Sequence, residues 1–110
     1  MGLFIGIIRK VYLRQMKSTL QWQLHLITQA KMTATKAASS LLQVGTDYES
    51  DSLIAKKLQE RQYKLKLLEE KLDMQKSEYE EKIEMINNEL KSNDSMIQSA
   101  IQESFTYKAA

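Results

Sequence analysis

The sequence predicts an all-α protein: an antiparallel two-helix hairpin with a coiled-coil-like seam, completed by oligomerisation. Three observations predict it. In 110 residues there is no Pro and there are only three Gly, so the turns and bulges of a sandwich or barrel lack the residues that supply their φ angles. Turn chemistry is confined to one run, Gly45-Thr46-Asp47-Tyr48-Glu49-Ser50-Asp51-Ser52. On both sides of that run, apolar residues recur at steps of three and four, which places them on one side of a helix.

Residues 1–44 are expected to form a basic first helix with an apolar N-terminal end. Its stripe runs through Leu13, Met16, Leu20, Leu24, Ile27, Ala30, Ala34, Ala38 and Leu41. The change from bulky residues to alanines predicts a closer approach of the partner helix near the loop. Off the stripe, a solvated helix usually carries Glu and Lys. This one carries Gln15, Ser18, Thr19, Gln21, Gln23, Thr28, Gln29, Thr33, Thr35, Ser39 and Ser40. A polar, nearly uncharged surface suits contact with other helices better than open water. Trp22 and Leu26, four residues apart, add a second apolar patch.

The segment Gly2-Leu3-Phe4-Ile5-Gly6-Ile7-Ile8 is apolar and is followed at once by Arg9 and Lys10. It is too short to span a bilayer, which takes about twenty apolar residues. Its charges also stand on the wrong side for a cleavable signal peptide. Two roles fit it. One is burial between subunits, the favoured expectation, with Leu3, Phe4, Ile7, Ile8 and Val11 in contact. The other is a membrane-surface anchor within residues 1–17.

Residues 45–52 are expected as a polar loop. Gly45 follows Leu41, Leu42 and Val44 and is expected to end the helix in the left-handed region. Asp51 and Ser52 stand where a side chain caps the next helix. Asp47, Glu49 and Asp51 alternate like the first ligands of a calcium loop. However, Ser52 and Leu58 occupy the positions where Gly and Glu are required, so the motif fails.

Residues 53–105 are expected as a long acidic coiled-coil-like helix, with 106–110 as a tail. The seam is drawn through Ile54, Leu58, Leu65, Leu68, Leu72, Tyr79, Ile83, Ile86, Leu90, Ile97 and Ile101, interrupted by Arg61 and Gln75. Two successive steps of four, Gln75 to Tyr79 to Ile83, predict a stutter in the supercoil. Phe105 and Tyr107 make an apolar end that an antiparallel hairpin brings towards the N-terminal segment.

Charge divides between the halves. Residues 1–46 hold six bases and no acid, while residues 47–110 hold fourteen acids and ten bases. Such a split points to complementary surfaces on one chain or on neighbouring chains. Six bases in 46 residues are sparse for a nucleic-acid stripe, so nucleic acid ranks last among partners.

Chemistry is nearly absent. Without Cys there is no thiolate metal site. His25, the only histidine, has no Cys, Asp or Glu within one turn, and no Gly-rich phosphate loop exists. No enzyme, cofactor, metal or small-molecule substrate is expected. A single hairpin of this size encloses too little apolar surface, and such chains complete themselves by associating. The expected partner is therefore another copy of the chain, as a homo-oligomer or polymer. With neither signal peptide nor transmembrane span, the expected location is cytoplasmic, or outside the cell by a signal-peptide-independent route.

The plan of helix, short loop and longer helix ends in Ser95-Met96-Ile97-Gln98-Ser99-Ala100-Ile101-Gln102-Glu103-Ser104-Phe105. It resembles the subunits of type III secretion needles, and less closely the WXG100 secreted proteins, from which it differs in having Gln23-Leu24 after Trp22. The resemblance implies a polymerising filament subunit. The leading expectation is thus a self-assembling subunit of a filament, tube or secretion-type machine. The alternatives are a soluble dimeric coiled-coil adaptor or export chaperone, and a membrane-surface protein using its N-terminus.

Overall fold

The computed structural model describes residues 2–45 and 52–109, with side chains through residue 106. Helix α1 runs Gly2–Gly45 and helix α2 runs Leu53–Ala109. Among the described residues there is no strand, and the two helices pack against each other as a helical hairpin. Among the described residues no helix is long and apolar enough to cross a membrane.

α2 starts on a side-chain cap. The Ala55 amide donates to the Ser52 hydroxyl oxygen at 3.0 Å, and the Lys56 amide donates to the Ser52 carbonyl at 3.1 Å. Ser52 therefore serves one of the free N–H groups of the first turn while opening the helical ladder. α2 continues to Ala109, so 106–109 of the expected tail are helical. The described part of α1 reaches Gly45, which has no positive φ, so the left-handed conformation expected at this residue is not found. The rest of the expected loop, 46–51, lies outside the described residues, and Asp51 as a cap with it.

Contacts divide the chain into two compact units, Met1–Gln23 with Tyr79–Ala110, and Leu24–Glu78. In each, a piece of α1 lies antiparallel to a piece of α2. In the first, Gly6 meets Asn93 and Ile97 while Arg9 meets Glu89. In the second, Lys31 meets Asp73 while Gly45 faces Gln62.

Burial follows a stricter repeat than the apolar residues alone suggest. In α1 the covered line runs through Leu3, Gly6, Lys10, Leu13, Lys17, Leu20, Leu24, Ile27, Lys31, Ala34, Ala38, Leu41 and Gly45, at steps of three and four, with Thr28 and Ala37 half-buried beside it. Met16 and Ala30 of the expected stripe are exposed, because the line runs through Lys17 and Lys31 instead. Lysine is admitted there because its stem packs along the partner while its ammonium reaches the rim. Lys10 meets Asp94 at 2.9 Å in this way, and Lys31 meets Asp73.

In α2 the line runs through Ala55, Leu58, Gln62, Leu65, Glu69, Leu72, Lys76, Tyr79, Ile83, Ile86, Leu90, Asn93, Ile97 and Ala100, again in steps of three and four. Three expected seam residues are corrected: Ile54, Leu68 and Ile101 are exposed. Each stands one residue from the true line, and one residue is about 100° of rotation on a helix. Arg61 is exposed and Gln62 takes the polar place expected for it. Gln75 is half-buried, but Lys76 carries the repeat, so the step from Lys76 to Tyr79 is three and the expected stutter disappears.

The best-covered apolar residues are Leu13, Ala34, Ala55, Leu58, Leu72 and Ile86. The other seam residues, Leu20, Leu24, Ile27, Ala38, Leu65, Tyr79, Leu90 and Ile97, are only half-buried. Two helices cover one side of each other and leave the margins of the seam wet.

Candidate interaction surface

The deepest polar feature is a lock between the helices. The Asn93 side-chain amide, 3% exposed, donates to the Gly6 carbonyl oxygen at 2.9 Å. A Cβ on Gly6 would stand 2.9 Å from Ile97 Cγ1. The absent side chain is what lets α2 approach closely enough for this bond. On either side of it, Lys10 pairs with Asp94 and Arg9 with Glu89 at 3.7 Å. Neither Gly6 nor Asn93 is apolar, so a search for apolar periodicity passes over both. The signal that finds them is the step of three and four itself.

Opposite this lock, α1 presents apolar side chains outward. Phe4, Ile7, Ile8 and Val11 are exposed, as expected for contact residues, with Ile5 and Tyr12 beside them. Leu3 is not part of this surface: it is half-buried, one step before Gly6 on the packed line. Further along in the same unit, Trp22 is 62% exposed. Phe105, on α2, is also exposed. The side chain of Tyr107 lies outside the described residues.

In the second unit Leu26 is exposed, and Gln29, Thr33, Thr35, Ser39 and Ser40 give this part of α1 an uncharged polar surface of its own. Several of its hydroxyls are turned back onto the helix. Thr19, in the first unit, donates to the Gln15 carbonyl at 3.0 Å, Thr28 to Leu24 at 2.9 Å and Thr33 to Gln29 at 3.1 Å. A threonine bonded this way leaves its methyl group to the surface, so these positions are less polar than their formulae.

The small residues Ala37 and Ala38 leave space beside the seam of this unit. An apolar groove of about 540 Å³ is lined by Ala37, Leu41, Val44, Leu65 and Leu68, with Arg61 and Lys64 at its edge. A second groove of about 420 Å³, between Ala38, Leu42, Gln62 and Glu69, lies on the other side. Leu68, expected in the seam, instead walls the first groove.

The outward side of α2 is mostly charged, with a sparse thioether and aromatic pattern. Tyr63 and Met74 in one unit, and Met85 and Met96 in the other, are each eleven residues apart and exposed. Eleven residues are about three helical turns, so each pair shares a side of the helix. Their spacing is legible in the sequence, but a reading that follows the seam passes over it. Lys82 stands 5.1 Å from the centre of the Tyr79 ring, which shields part of that half-buried aromatic.

Among the described residues no group of three His, Cys, Asp or Glu side chains is placed to hold a metal ion. The surface offers contact area and charge. Compared with known proteins, the chain matches no family model, and neither a curated protein nor a solved structure matches it.

Proposed function

We propose that this protein is a structural, self-assembling helical-hairpin subunit whose intersubunit contact is made by the outward side of α1. The observation that carries the reading is Trp22, 62% exposed on the side of α1 away from its packed line in the first unit; Leu26, in the second unit, is exposed as well. Exposed tryptophan is the residue type most enriched where protein partners bind tightly. Around it the surface is uncharged, and part of its hydroxyl content is already bonded to the helix, so little polar desolvation opposes contact. The half-buried seam adds a second reason, since association covers margins that two helices leave open.

The stretch of α2 from Glu80 to Glu103, with six acids against two bases, is the natural counterpart for the basic α1 of another copy. Such a head-to-tail contact propagates into a filament or closes into a ring, as its rotation dictates. Sedimentation velocity of the full chain tests this. Large species that shrink on Trp22→Ala or Leu26→Ala, and on raising the salt, support the reading. Assembly that ignores both substitutions removes the contact from this surface. Salt acts because exposed charges are screened beyond about 10 Å at 0.1 M.

A further inference from the structure

We propose that the N-terminal stretch of α1, from Phe4 to Tyr12, is a docking surface for an anionic lipid bilayer. This goes beyond the assembly reading and assigns the apolar N-terminal residues to lipid instead of to a neighbouring subunit.

The residues are arranged for it. At 3.6 residues per turn, Ile7, Val11, Phe4, Ile8, Tyr12 and Ile5 follow one another around about 160° of the helix. All six are exposed, Phe4 by 70%. Gly6 and Leu13, which pack on α2, lie on the opposite side. Arg14 stands at one edge of the arc and Arg9 at the other, and Lys10 and Lys17 follow beyond Arg14. A continuous apolar arc edged by bases is the signature of a helix lying in the plane of a membrane interface. The apolar side chains enter the acyl boundary, while the long basic side chains reach the phosphates.

Charge selects lipid over a second copy of the same surface. α1 carries no acid. Two such arcs placed face to face would set one base-edged surface against another, with only Glu89 beside Arg9 to offset the repulsion. In this unit the acids all belong to α2, where Glu89 and Asp94 already hold Arg9 and Lys10 from behind. A bilayer bearing negative headgroups meets the basic edges of α1 and no acid on that helix. The exposed apolar area, on the order of several hundred Å², is that of the largest patch on a typical monomer, which is often an interaction site.

The test is flotation of the full chain with vesicles of phosphatidylcholine alone and of phosphatidylcholine mixed equally with phosphatidylserine. Binding to the mixed vesicles, weak binding to the neutral ones, and loss in high salt are expected. Phe4→Gln with Ile8→Gln should weaken binding at least about tenfold, since each buried large side chain contributes more than that factor. Arg9→Gln and Arg14→Gln should each weaken it about fivefold. All four side chains are exposed, so helicity by circular dichroism should be unchanged.

An independent readout is tryptophan emission from Tyr12→Trp in a Trp22→Phe chain, which brominated acyl chains should quench. No binding to either vesicle, equal binding to both, or binding that survives Phe4→Gln with Ile8→Gln overturns the proposal. If the chain ignores vesicles and those two substitutions abolish self-association instead, the arc is a subunit contact and the assembly reading stands alone. If the chain binds vesicles while remaining monomeric in solution, the lipid proposal stands and the assembly reading falls.

Discussion

The Asn93 side-chain amide donates to the Gly6 carbonyl oxygen at 2.9 Å, and it can do so only because Gly6 has no side chain to hold α2 away. The Gly6 carbonyl already accepts a bond within its own helix, so Asn93 adds a second bond to an oxygen with two lone pairs. The pair fixes the register of α1 against α2 in this unit, as one buried asparagine does in coiled coils.

Asn93→Leu should therefore raise the melting temperature and loosen the pairing. A leucine, larger but branched at the same atom, adds apolar burial, and no donor is orphaned on α1. Asn93→Ala should instead destabilise, by about 1–2 kcal/mol, through the lost bond and the space left behind. Thermal unfolding gives the order of the three proteins, and amide exchange around Gly6 reports the loosening.

Gly6→Ala sets two effects against each other. Alanine favours a helix over glycine by about 1 kcal/mol, whereas a Cβ forced to 2.9 Å from Ile97 Cγ1 meets an overpacked core, at about 1–3 kcal/mol. The substitution should be neutral to destabilising in the natural chain. In an Ile97→Ala background, where the clash is gone, the same change should stabilise. Urea unfolding of the four proteins gives the sign.

The cap at Ser52 is local. Ser52→Ala removes the acceptor for the Ala55 amide and should lower stability by about 1 kcal/mol, with Ser52→Asp restoring it. Equal melting temperatures for the natural chain and the Ser52→Ala variant would mean that another group serves this amide.

The ion pairs should matter little one at a time. Lys10–Asp94 and Arg9–Glu89 are solvent-exposed over a third or more of most of their side chains. Their removal by Asp94→Asn or Glu89→Gln should change stability by less than about 1 kcal/mol. Larger losses in urea titrations would mean that these acids do more than pair.

Stability and association should separate at two residues of the same helix. Leu13, 3% exposed, lies in the packed line, and Leu13→Ala should cost about 2–5 kcal/mol. Trp22→Ala, at an exposed position, should cost the dilute chain less than Leu13→Ala does. Under the assembly reading it reduces the sedimenting species all the same. Unfolding at fixed low concentration, beside sedimentation, measures both.

The sequence by itself determined the fold class and both helices. Absent Pro, scarce Gly and a single polar run leave two long helices with one reversal, and Ser52 announces the second. It also marked the outward apolar residues Phe4, Ile7, Ile8, Val11, Trp22 and Leu26, because apolar side chains in excess of one stripe have no place inside a hairpin. Only the tertiary structure decided which residues make the seam. Gly6, Lys10, Lys31, Glu69, Lys76 and Asn93 are not apolar, and they join the packed line because of what stands opposite or beside them: a bare backbone, a carboxylate at the rim, or room along a lysine stem. Periodicity records the residue that is buried, whereas register depends on both partners at once. That is why Leu68, a plausible seam residue by type, stands exposed while Glu69 beside it holds the repeat.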